Sequence, residues 1–501
     1  MSTGTEPQAA AGAAATAAAA EEAPVDLLSQ IVKATKPQSE AEVTLSKSYF
    51  QEYLKNVVSQ GPNIDGDVEK SIKYWIAQLD AKLSAQINEV MHQPEFQKLE
   101  GTWRGLHYLV HESETGTNLK IRVINVTKRE LFKDLEKASE FDQSQLFKKI
   151  YTAEYDQLGG KPYGMLVGDY DFGYQAEEVD LLRMISNVAA AAHAPFVAAA
   201  GAKMFGMDSY TEMPNPRDLA KIFEGANYTK WRSFRDSEDS RYAALAMPRT
   251  LARLPYGQDF KKVDEFNFEE FVDGKDHSKY LWMNAAWAYA ARITSAFAEN
   301  GWMARSRGVK GGGKVENLPV HTFNTDDGDV VMKCPTEIAI SDRRENELSE
   351  LGFLPLLWCK DSDFAAFLGA QSCQKAKKYS SNPDANASAE LSTKFNYMLN
   401  TSRFAHYLKV MVRDHIGSHM SVGELTTMLN TWVNQYVTPN PEAVSDKIKA
   451  QKPLSEARID VRPVAGKPGT YEAVAYMKPH FQLEKLTAQL SLVAELPKPR
   501  T

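Results

Sequence analysis

A strand–helix–strand succession between residues 163 and 200 restricts the fold of this 501-residue chain more than any other feature. Tyr163–Val167 is typical of a buried strand, a helical pattern runs from Glu177 to His193, and Ala194–Ala200 fits a second strand. Strands that alternate with helices indicate an α/β architecture. The predicted fold class is therefore α/β (mixed α+β), in more than one domain.

Composition excludes several classes of protein. Hydrophobic residues make up 43% and charged residues 25% of the chain, which are values of a globular protein with a sizeable core. With 58 basic and 65 acidic residues the net charge is −7. An acidic chain has no overall electrostatic attraction for nucleic acid or anionic membranes. We expect neither as a partner.

The termini and cysteines indicate a cytoplasmic protein. The longest apolar run, Val188–Met207, is mostly alanine and is interrupted by His193, Pro195 and Lys203, so no membrane insertion is expected. No Lys or Arg precedes Lys33, which is unlike a signal peptide. The three cysteines form no C-x-x-C pair, which favours free thiols in a reducing compartment.

An amphipathic segment follows the alanine-rich residues 1–24, which we predict to be a disordered tail. Asp26 is a good helix N-cap and Pro37 a firm stop, so residues 25–37 are predicted to form a short helix. Its apolar face consists of Leu27, Leu28, Ile31 and Val32. So short a helix is marginal in water and needs a groove. That groove could belong to its own domain or to an external partner.

Further elements complete the predicted organisation. Helical patterns cover Lys47–His111, Lys128–Ser139, Ser144–Glu154, Lys279–Trp302, Leu391–His419 and Gly423–Tyr436. Alternating residues predict a strand at Leu119–Val126 and a β-hairpin from Ala457–Val464 and Tyr471–Lys478, and a final strand at Gln482–Leu496. The hairpin could accept a strand from a neighbouring chain.

The glycine-rich segment Gly308–Lys314 is the alternative on which a nucleotide-binding function would depend. Its glycine and lysine spacing resembles a P-loop, but Val315 stands where Mg²⁺ binding needs Ser or Thr. We interpret it as a solvated, mobile loop. Arg305, Arg307, Lys310 and Lys314 could form a local anion patch there.

Other motifs give no catalytic, cofactor or metal site. Asp171-Phe172-Gly173 lacks the other kinase motifs. His415 and His419 lie four residues apart but have no third ligand, so we expect them to satisfy helix-end carbonyls. Ser341–Glu350 is predicted to be a helix with Arg343 and Glu347 paired at i, i+4. The sequence therefore predicts no enzyme.

Several long stretches resemble one known family, the large sheath subunit of the bacterial type VI secretion system. They are Ala191–Gly201, Trp231–Gly257, Lys279–Trp302, Pro335–Leu356 and Arg403–Ser418, within a resemblance that covers about residues 25 to 497. It implies a structural subunit that pairs with a small sheath subunit and polymerises around an inner tube on a baseplate. The sheath then contracts to propel the tube and its effectors, and a hexameric AAA+ unfoldase disassembles it.

The resemblance also implies domains and sites. Residues 38–150 would form an N-terminal helical or α+β region, 151–380 an outer α/β domain and 381–501 the core sheath domain. Residues 25–37 would be the unfoldase-binding helix, through Leu27, Leu28, Ile31 and Val32. The residues implied in strand exchange between protomers are Arg458, Ile459, Val461, Tyr471, Ala473 and Ala475. Arg403, Lys409 and Arg413 are candidates for contact with the inner tube.

Overall fold

The computed structural model describes residues 32–33, 36, 39–60, 68–157, 159–325, 327–380, 382–415, 418–463 and 471–480. The principal helices are α1 (Glu40–Gln60), α2 (Val68–Met91), α3 (Pro94–His111), α4 (Lys128–Lys137), α5 (Ala176–Ala192), α6 (Thr229–Arg235), α7 (Ala285–Asn300), α8 (Asp342–Glu350), α9 (Pro383–Ser392), α10 (Phe395–Asp414), α11 (Val422–Asn434) and α12 (Asp446–Gln451). Shorter helical segments include Gln145–Phe147, Lys148–Thr152, Ala153–Tyr155 and Ala220–Glu224. The chain divides between Asp80 and Ala81 into two compact units.

The strands belong to the second unit. They are β1 (Leu166–Phe172), β2 (Phe196–Ala200), β3 (Ala243–Met247), β4 (Thr250–Leu251), β5 (Trp282–Met283), β6 (Lys314–Val315), β7 (Thr322–Asn324), β8 (Val330–Met332), β9 (Leu354–Pro355), β10 (Leu357–Trp358), β11 (Ala365–Ala366), β12 (Leu454–Pro463) and β13 (Tyr471–Pro479). The small antiparallel sheets are β4-β5, β7-β8 and β10-β11-β6. The predicted final strand at Gln482–Leu496 lies outside the described residues.

A parallel sheet in the order β1-β2-β3-β9 organises the second unit. Phe196 of β2 lies between Leu166 of β1 and Ala243 of β3, and Ala246 of β3 pairs with Leu354 of β9. The strand–helix–strand succession of the sequence thus becomes β1-α5-β2, with β1 a few residues later than predicted. The α/β fold class is confirmed.

Helices cover both faces of this sheet because its two central strands, β2 and β3, are apolar at every position. Alternate residues of β3 face opposite sides: Leu245 packs in one core cluster with Ile185 of α5, and Ala244 packs in another with Tyr289 of α7. All of these side chains are almost fully buried. Both faces of a parallel sheet are covered by helices. The sequences of β2 and β3 are therefore continuously apolar instead of alternating between apolar and polar residues.

A buried histidine connects α10 to the end of α5. His193 ends α5 in the left-handed conformation, with φ of 50°. The Nε2 atom of His406 on α10 donates to the carbonyl oxygen of Ala192 at 2.9 Å. Burial lowers the pKa of His406 to about 4, so the imidazole is neutral at physiological pH. The contact therefore positions α10 against the sheet domain without burying a charge.

An ion-pair network connects α3 to the loop that follows β4. The Arg253 guanidinium, which is only 6% exposed, lies 2.8 Å from Glu100 of α3 and 2.6 Å from Glu270. The Glu270 carboxylate also accepts the backbone N–H of Tyr256 at 2.8 Å. Removing one partner would leave a buried charge without compensation. This network therefore specifies how the long loop is positioned along α3.

The predicted strand at Leu119–Val126 is wrong. Residues 119–127 have neither helical nor strand structure, and Val123 and Ile124 are 68% and 55% exposed. An alternating pattern shows that a segment can pair, but a strand needs a hydrogen-bonded neighbour, and no described strand pairs with this segment. Thr127 is the N-cap of α4, which begins at Lys128, because the Thr127 hydroxyl and the Glu130 carboxylate form a capping box.

Several other predicted helices are present in the structure. The helical patterns of residues 47–111 correspond to α1, α2 and α3, and that of Lys279–Trp302 to α7 with β5 before it. In α8 the pair is Arg344–Glu347 at 2.8 Å, rather than the predicted pair of Arg343 with Glu347. No described helix is both long enough and apolar enough to span a bilayer.

An aromatic cluster forms the centre of the core beside α5. Phe353 is fully buried, and its ring centroid lies 4.9 Å from that of Phe205, 5.7 Å from Phe223 and 5.6 Å from Trp231. Such contacts add to the hydrophobic gain from burial.

We expect Phe353→Ala to lower the free energy of unfolding by about 3–5 kcal/mol, since it leaves a large cavity among rigid rings. Urea unfolding followed by tryptophan fluorescence measures the change. Tyr379→Ala is the control, because that side chain is 47% exposed and its loss should change stability by less than about 0.5 kcal/mol. Equal effects of the two variants would contradict this description of the core.

Candidate assembly site

The predicted C-terminal hairpin is confirmed as β12 and β13. The strands pair antiparallel, with Ile459 opposite Ala475, Val461 opposite Ala473 and Pro463 opposite Tyr471. The six residues implied in strand exchange are therefore brought together in one two-stranded ladder. The strands extend beyond the predicted limits, to Leu454 and Pro479.

One face of the hairpin is anchored on α10 and α11. Ile459 is 1% exposed and belongs to the same apolar cluster as Leu429 and Val433 of α11. Stacked rings extend the cluster, with 4.0 Å between the centroids of Trp302 and Phe404. The buried face of the hairpin is therefore packed mainly against these two helices and Trp302.

The outer edge of β12 is closed by a side chain. The Asn430 amide on α11 donates to the carbonyl oxygen of Ile459 at 2.7 Å, and its oxygen accepts the Ile459 N–H at 2.9 Å. The amide thus replaces a neighbouring strand at this position. Further along, Thr438 N donates to the Leu454 carbonyl oxygen at 2.9 Å. β12 is therefore a poor acceptor of another strand.

The same contacts determine the direction of the backbone groups of β13. Because the Ile459 groups point away from β13, Ile459 and Ala475 form a non-hydrogen-bonded pair. Pairs alternate along the ladder, so Val461 and Ala473 form another. The N–H and C=O groups of Ala473 and Ala475 consequently point outward from β13. Among the described residues no strand pairs with this edge.

The solvent-facing side of the hairpin carries balanced charges. Arg458 forms two 2.8 Å hydrogen bonds to Asp460, and Lys478 lies 3.2 Å from Glu456 on the paired strand. The hydrogen bonds from Arg458 hold the pKa of Asp460 below its usual range. With its charges matched internally, this surface offers a partner mainly backbone groups.

Comparison with known proteins places this geometry in a family. Residues 73–374 match the VipB family described as EvpB/VC_A0108, tail sheath N-terminal domain. Residues 384–496, which contain the hairpin, match the companion family described as the EvpB/VC_A0108 tail sheath gpW/gp25-like domain. The chain is a member of the VipB/EvpB tail sheath family.

A curated relative agrees with this membership. The chain is 50% identical over 474 residues to the type VI secretion system sheath protein TssC1 of Pseudomonas aeruginosa strain PAO1, covering 94% of this chain and 95% of that protein. A chain in the cryo-EM structure of the anti-feeding prophage baseplate has a TM-score of 0.34 and 9% identity, covering 63% of this chain and 66% of its own. The latter likeness is too weak to bear on the fold.

The glycine-rich segment of this sheath protein is held by backbone hydrogen bonds, unlike the mobile loop predicted from sequence, and Val309 and Lys310 are exposed as predicted. Gly308 N donates to the Phe367 carbonyl oxygen at 2.7 Å, and Phe367 N donates to that of Gly313 at 2.9 Å. Gly313 N donates to Gly308 O at 2.9 Å, so amides that would hold a phosphate are already used. Lys314 pairs with Glu316 at 2.6 Å. These bonds argue against the P-loop alternative.

The predicted anion patch is not assembled as expected. Arg307 is 6% exposed, and Arg305 donates to the Lys310 carbonyl oxygen at 2.8 Å. His415 Nδ1 lies 2.8 Å from the carbonyl oxygen of Met411, which is the helix-end role predicted for it. In the described part of the chain no cluster of three potential metal ligands occurs.

The three cysteines are free thiols, as predicted from their spacing. Cys373 is fully buried, and burial raises the pKa of its thiol to about 12. A thiol held in this protonated form is a poor nucleophile.

Two of the candidate tube-contacting residues on α10 make contacts with other residues of this chain. The Lys409 ammonium lies 4.1 Å from the Tyr155 ring centroid and bonds the Tyr151 hydroxyl. Arg413 donates to the Tyr155 carbonyl oxygen at 3.1 Å. Arg403 packs 4.8 Å from the Tyr407 ring centroid. Their contact with an inner tube stays a prediction.

The N-terminal amphipathic helix falls mostly outside the described residues. Leu27, Leu28 and Ile31 are not among them, whereas Val32 is described and is 1% exposed. Its role in binding an unfoldase stays a prediction. Asn430, in contrast, is a functional candidate that sequence reasoning missed. The only signal was an amide beside the apolar stripe of the Gly423–Tyr436 helix.

We expect Asn430→Leu to expose the outer edge of β12, since the Ile459 N–H and C=O groups lose both partners. An unpaired backbone group costs about 1–3 kcal/mol. Hydrogen exchange at Ile459 should therefore accelerate by about tenfold or more. The control is Thr427→Ala, whose hydroxyl bonds only to the carbonyl of Gly423 in its own helix. Unchanged exchange at Ile459 in the leucine variant would show that Asn430 does not close the edge.

Proposed function

We propose that this sheath-family protein pairs with a small sheath subunit and that the pairs polymerise helically around an inner tube in the cytoplasm. The polymer would assemble on a baseplate in an extended form and contract to propel the tube with its effectors into target cells. The observation that supports this most is the outward-pointing backbone of β13 on a hairpin anchored to the helices. The name of the curated relative, a type VI secretion system sheath protein, supports the same proposal.

Strand addition at β13 suits a contractile polymer for physical reasons. Main-chain hydrogen bonds hold a strand firmly and tolerate many side chains. Because Ile459 fixes the hairpin on α11, a strand captured by β13 would move with the whole subunit. Rotation of subunits could then be transmitted from one to the next without breaking the ladder. Contraction would need no catalytic group in this chain.

Disassembly would depend on the N-terminal helix. The apolar face Leu27, Leu28, Ile31 and Val32 would be covered in the extended sheath and accessible to a hexameric AAA+ unfoldase after contraction. ATP hydrolysis would belong to that partner, which agrees with the internal use of the Gly308 and Gly313 amides. Arg403, Lys409 and Arg413 would lie toward the inner tube.

The hairpin proposal is tested by Ala473→Pro. Proline removes an N–H that points away from β12, so the hairpin should persist while an incoming strand loses a donor. We expect heterodimers with the small sheath subunit to form normally and sedimentable filaments to be lost. Size-exclusion chromatography and negative-stain electron microscopy of co-expressed subunits measure both.

Ala473→Val is the matched control, because it keeps the N–H at an exposed position and favours a strand. Val474→Pro provides the opposite case, since its N–H faces β12 and its loss should disrupt the hairpin itself. Filaments of normal length from Ala473→Pro would exclude β13 as the acceptor.

The unfoldase proposal is tested by Ile31→Asp, with Leu28→Asp as a second variant. A carboxylate on the apolar face should abolish binding of the unfoldase, because burying an unpaired charge is costly. Sheath assembly should be unaffected, and pull-down with the unfoldase alongside electron microscopy measures both. Loss of assembly would instead show that the helix is part of the protein's own core.

A further inference from the structure

A cavity of about 2210 Å³ separates β1 from the irregular segment 118–127 in the second unit. α3 and α7 supply much of its remaining lining, through residues such as Gly101, Thr102 and Trp287. The cavity is much larger than the few hundred Å³ of a usual small-molecule pocket, which extends to about 1,000 Å³. A space of this size and length fits a segment of polypeptide.

One wall of the cavity is an unpaired sheet edge. β1 pairs with β2 on one side, and among the described strands none pairs with its other side. Residues 166–171 all line the cavity, so this free edge faces it. An edge strand offers a row of N–H and C=O groups that another strand can bind.

The opposite wall is the segment that the sequence predicted to be a strand. Within the described structure, the backbone of residues 120–125 makes no hydrogen bond to other backbone groups. Leu119 and Ile121 are half-buried, whereas Lys120 and Arg122 are exposed, so residues 119–122 alternate as in a strand. The segment thus has the pattern of a strand and lacks a partner.

Apolar side chains cover the floor between these walls. Leu109 and Trp287 are 4% and 8% exposed, and Ile121, Met165 and Val167 pack against them. A guest segment with apolar residues on one face would therefore gain burial there. Val123 and Ile124 would lose the exposure that they have in the chain alone.

The charge of the cavity is opposite in sign to that of the whole chain. Nine Lys or Arg residues and three Asp or Glu residues line it, although the chain has a net charge of −7. Three of the basic residues form ion pairs with carboxylates, as Arg249 does with Glu337. Lys120 and Lys161 instead lie against each other, and this like charge lowers the pKa of Lys120. Such repulsion is relieved when an anionic group binds.

We propose that an extended, acidic segment of a second polypeptide inserts between β1 and residues 119–126 and pairs with both as a strand. Its backbone would complete the sheet, its apolar face would cover Trp287 and Ile121, and its carboxylates would meet Lys120 and Lys161. The inference rests on the proposed function in one respect, that a second subunit joins this chain.

The experiment compares hydrogen exchange of the full chain alone and co-purified with the small sheath subunit as the probe. We expect the amides of residues 120–125 and of the outer edge of β1 to exchange at least about a hundredfold more slowly in the complex. A complex that forms without protecting these amides would overturn the inference and leave the proposed pairing intact. Failure of the two subunits to associate would contradict both.

Charge reversal tests the recognition itself. The double variant Lys120→Glu/Lys161→Glu should reduce the association rate by about tenfold at low salt, and the difference should shrink as salt rises. Lys221→Glu/Lys262→Glu changes the net charge equally at exposed positions outside the cavity and should have little effect. Equal losses in both pairs would overturn the assignment of the cavity as the acidic binding site. Protection of the same amides by inorganic phosphate alone would also overturn it.

Discussion

Close packing of two helices on opposite faces of one sheet is the interaction on which the rest of the second unit depends. Ala198 on one face and Ala244 on the other present only methyl groups, so α5 and α7 approach the strands closely. The sheet then fixes the ends of these helices, and His406 holds α10 at the end of α5. Through α10 and α11 the same arrangement determines where the hairpin stands. The position of the assembly site therefore depends on the packing around the sheet.

Local patterns were sufficient to predict the α/β class, the long helices and the hairpin, because each depends on residues close together in the chain. They failed where a distant partner decides the outcome. Residues 119–126 alternate like a strand, yet pairing needs a neighbour that the described chain does not supply. Glycines at 308–313 suggest a mobile loop, but Phe367, far along the chain, holds them in place. The closing of β12 by Asn430 is likewise a long-range contact. The unfoldase helix and the tube-contacting residues stay predictions.

Unpaired backbone edges are usually a liability, since they invite aggregation. Two such edges among the described strands, those of β1 and β13, differ in their surroundings. The β13 edge lies on a surface with matched charges, whereas the β1 edge lies inside a basic cavity above an apolar floor. A partner for β1 must therefore carry a particular charge and pattern. A partner for β13 needs little more than an extended backbone.

The single amide of Asn430 has a consequence for the form of any polymer built on the hairpin. A two-stranded sheet with both sides available could grow in both directions, and stacked hairpins would merge into a continuous sheet without a defined end, as in amyloid. Because β12 is covered, each hairpin can accept only one further strand, at β13. Each subunit added by this route contacts the one before it through the same edge. The result is a filament with a direction and one such contact per hairpin, instead of an open-ended fibre.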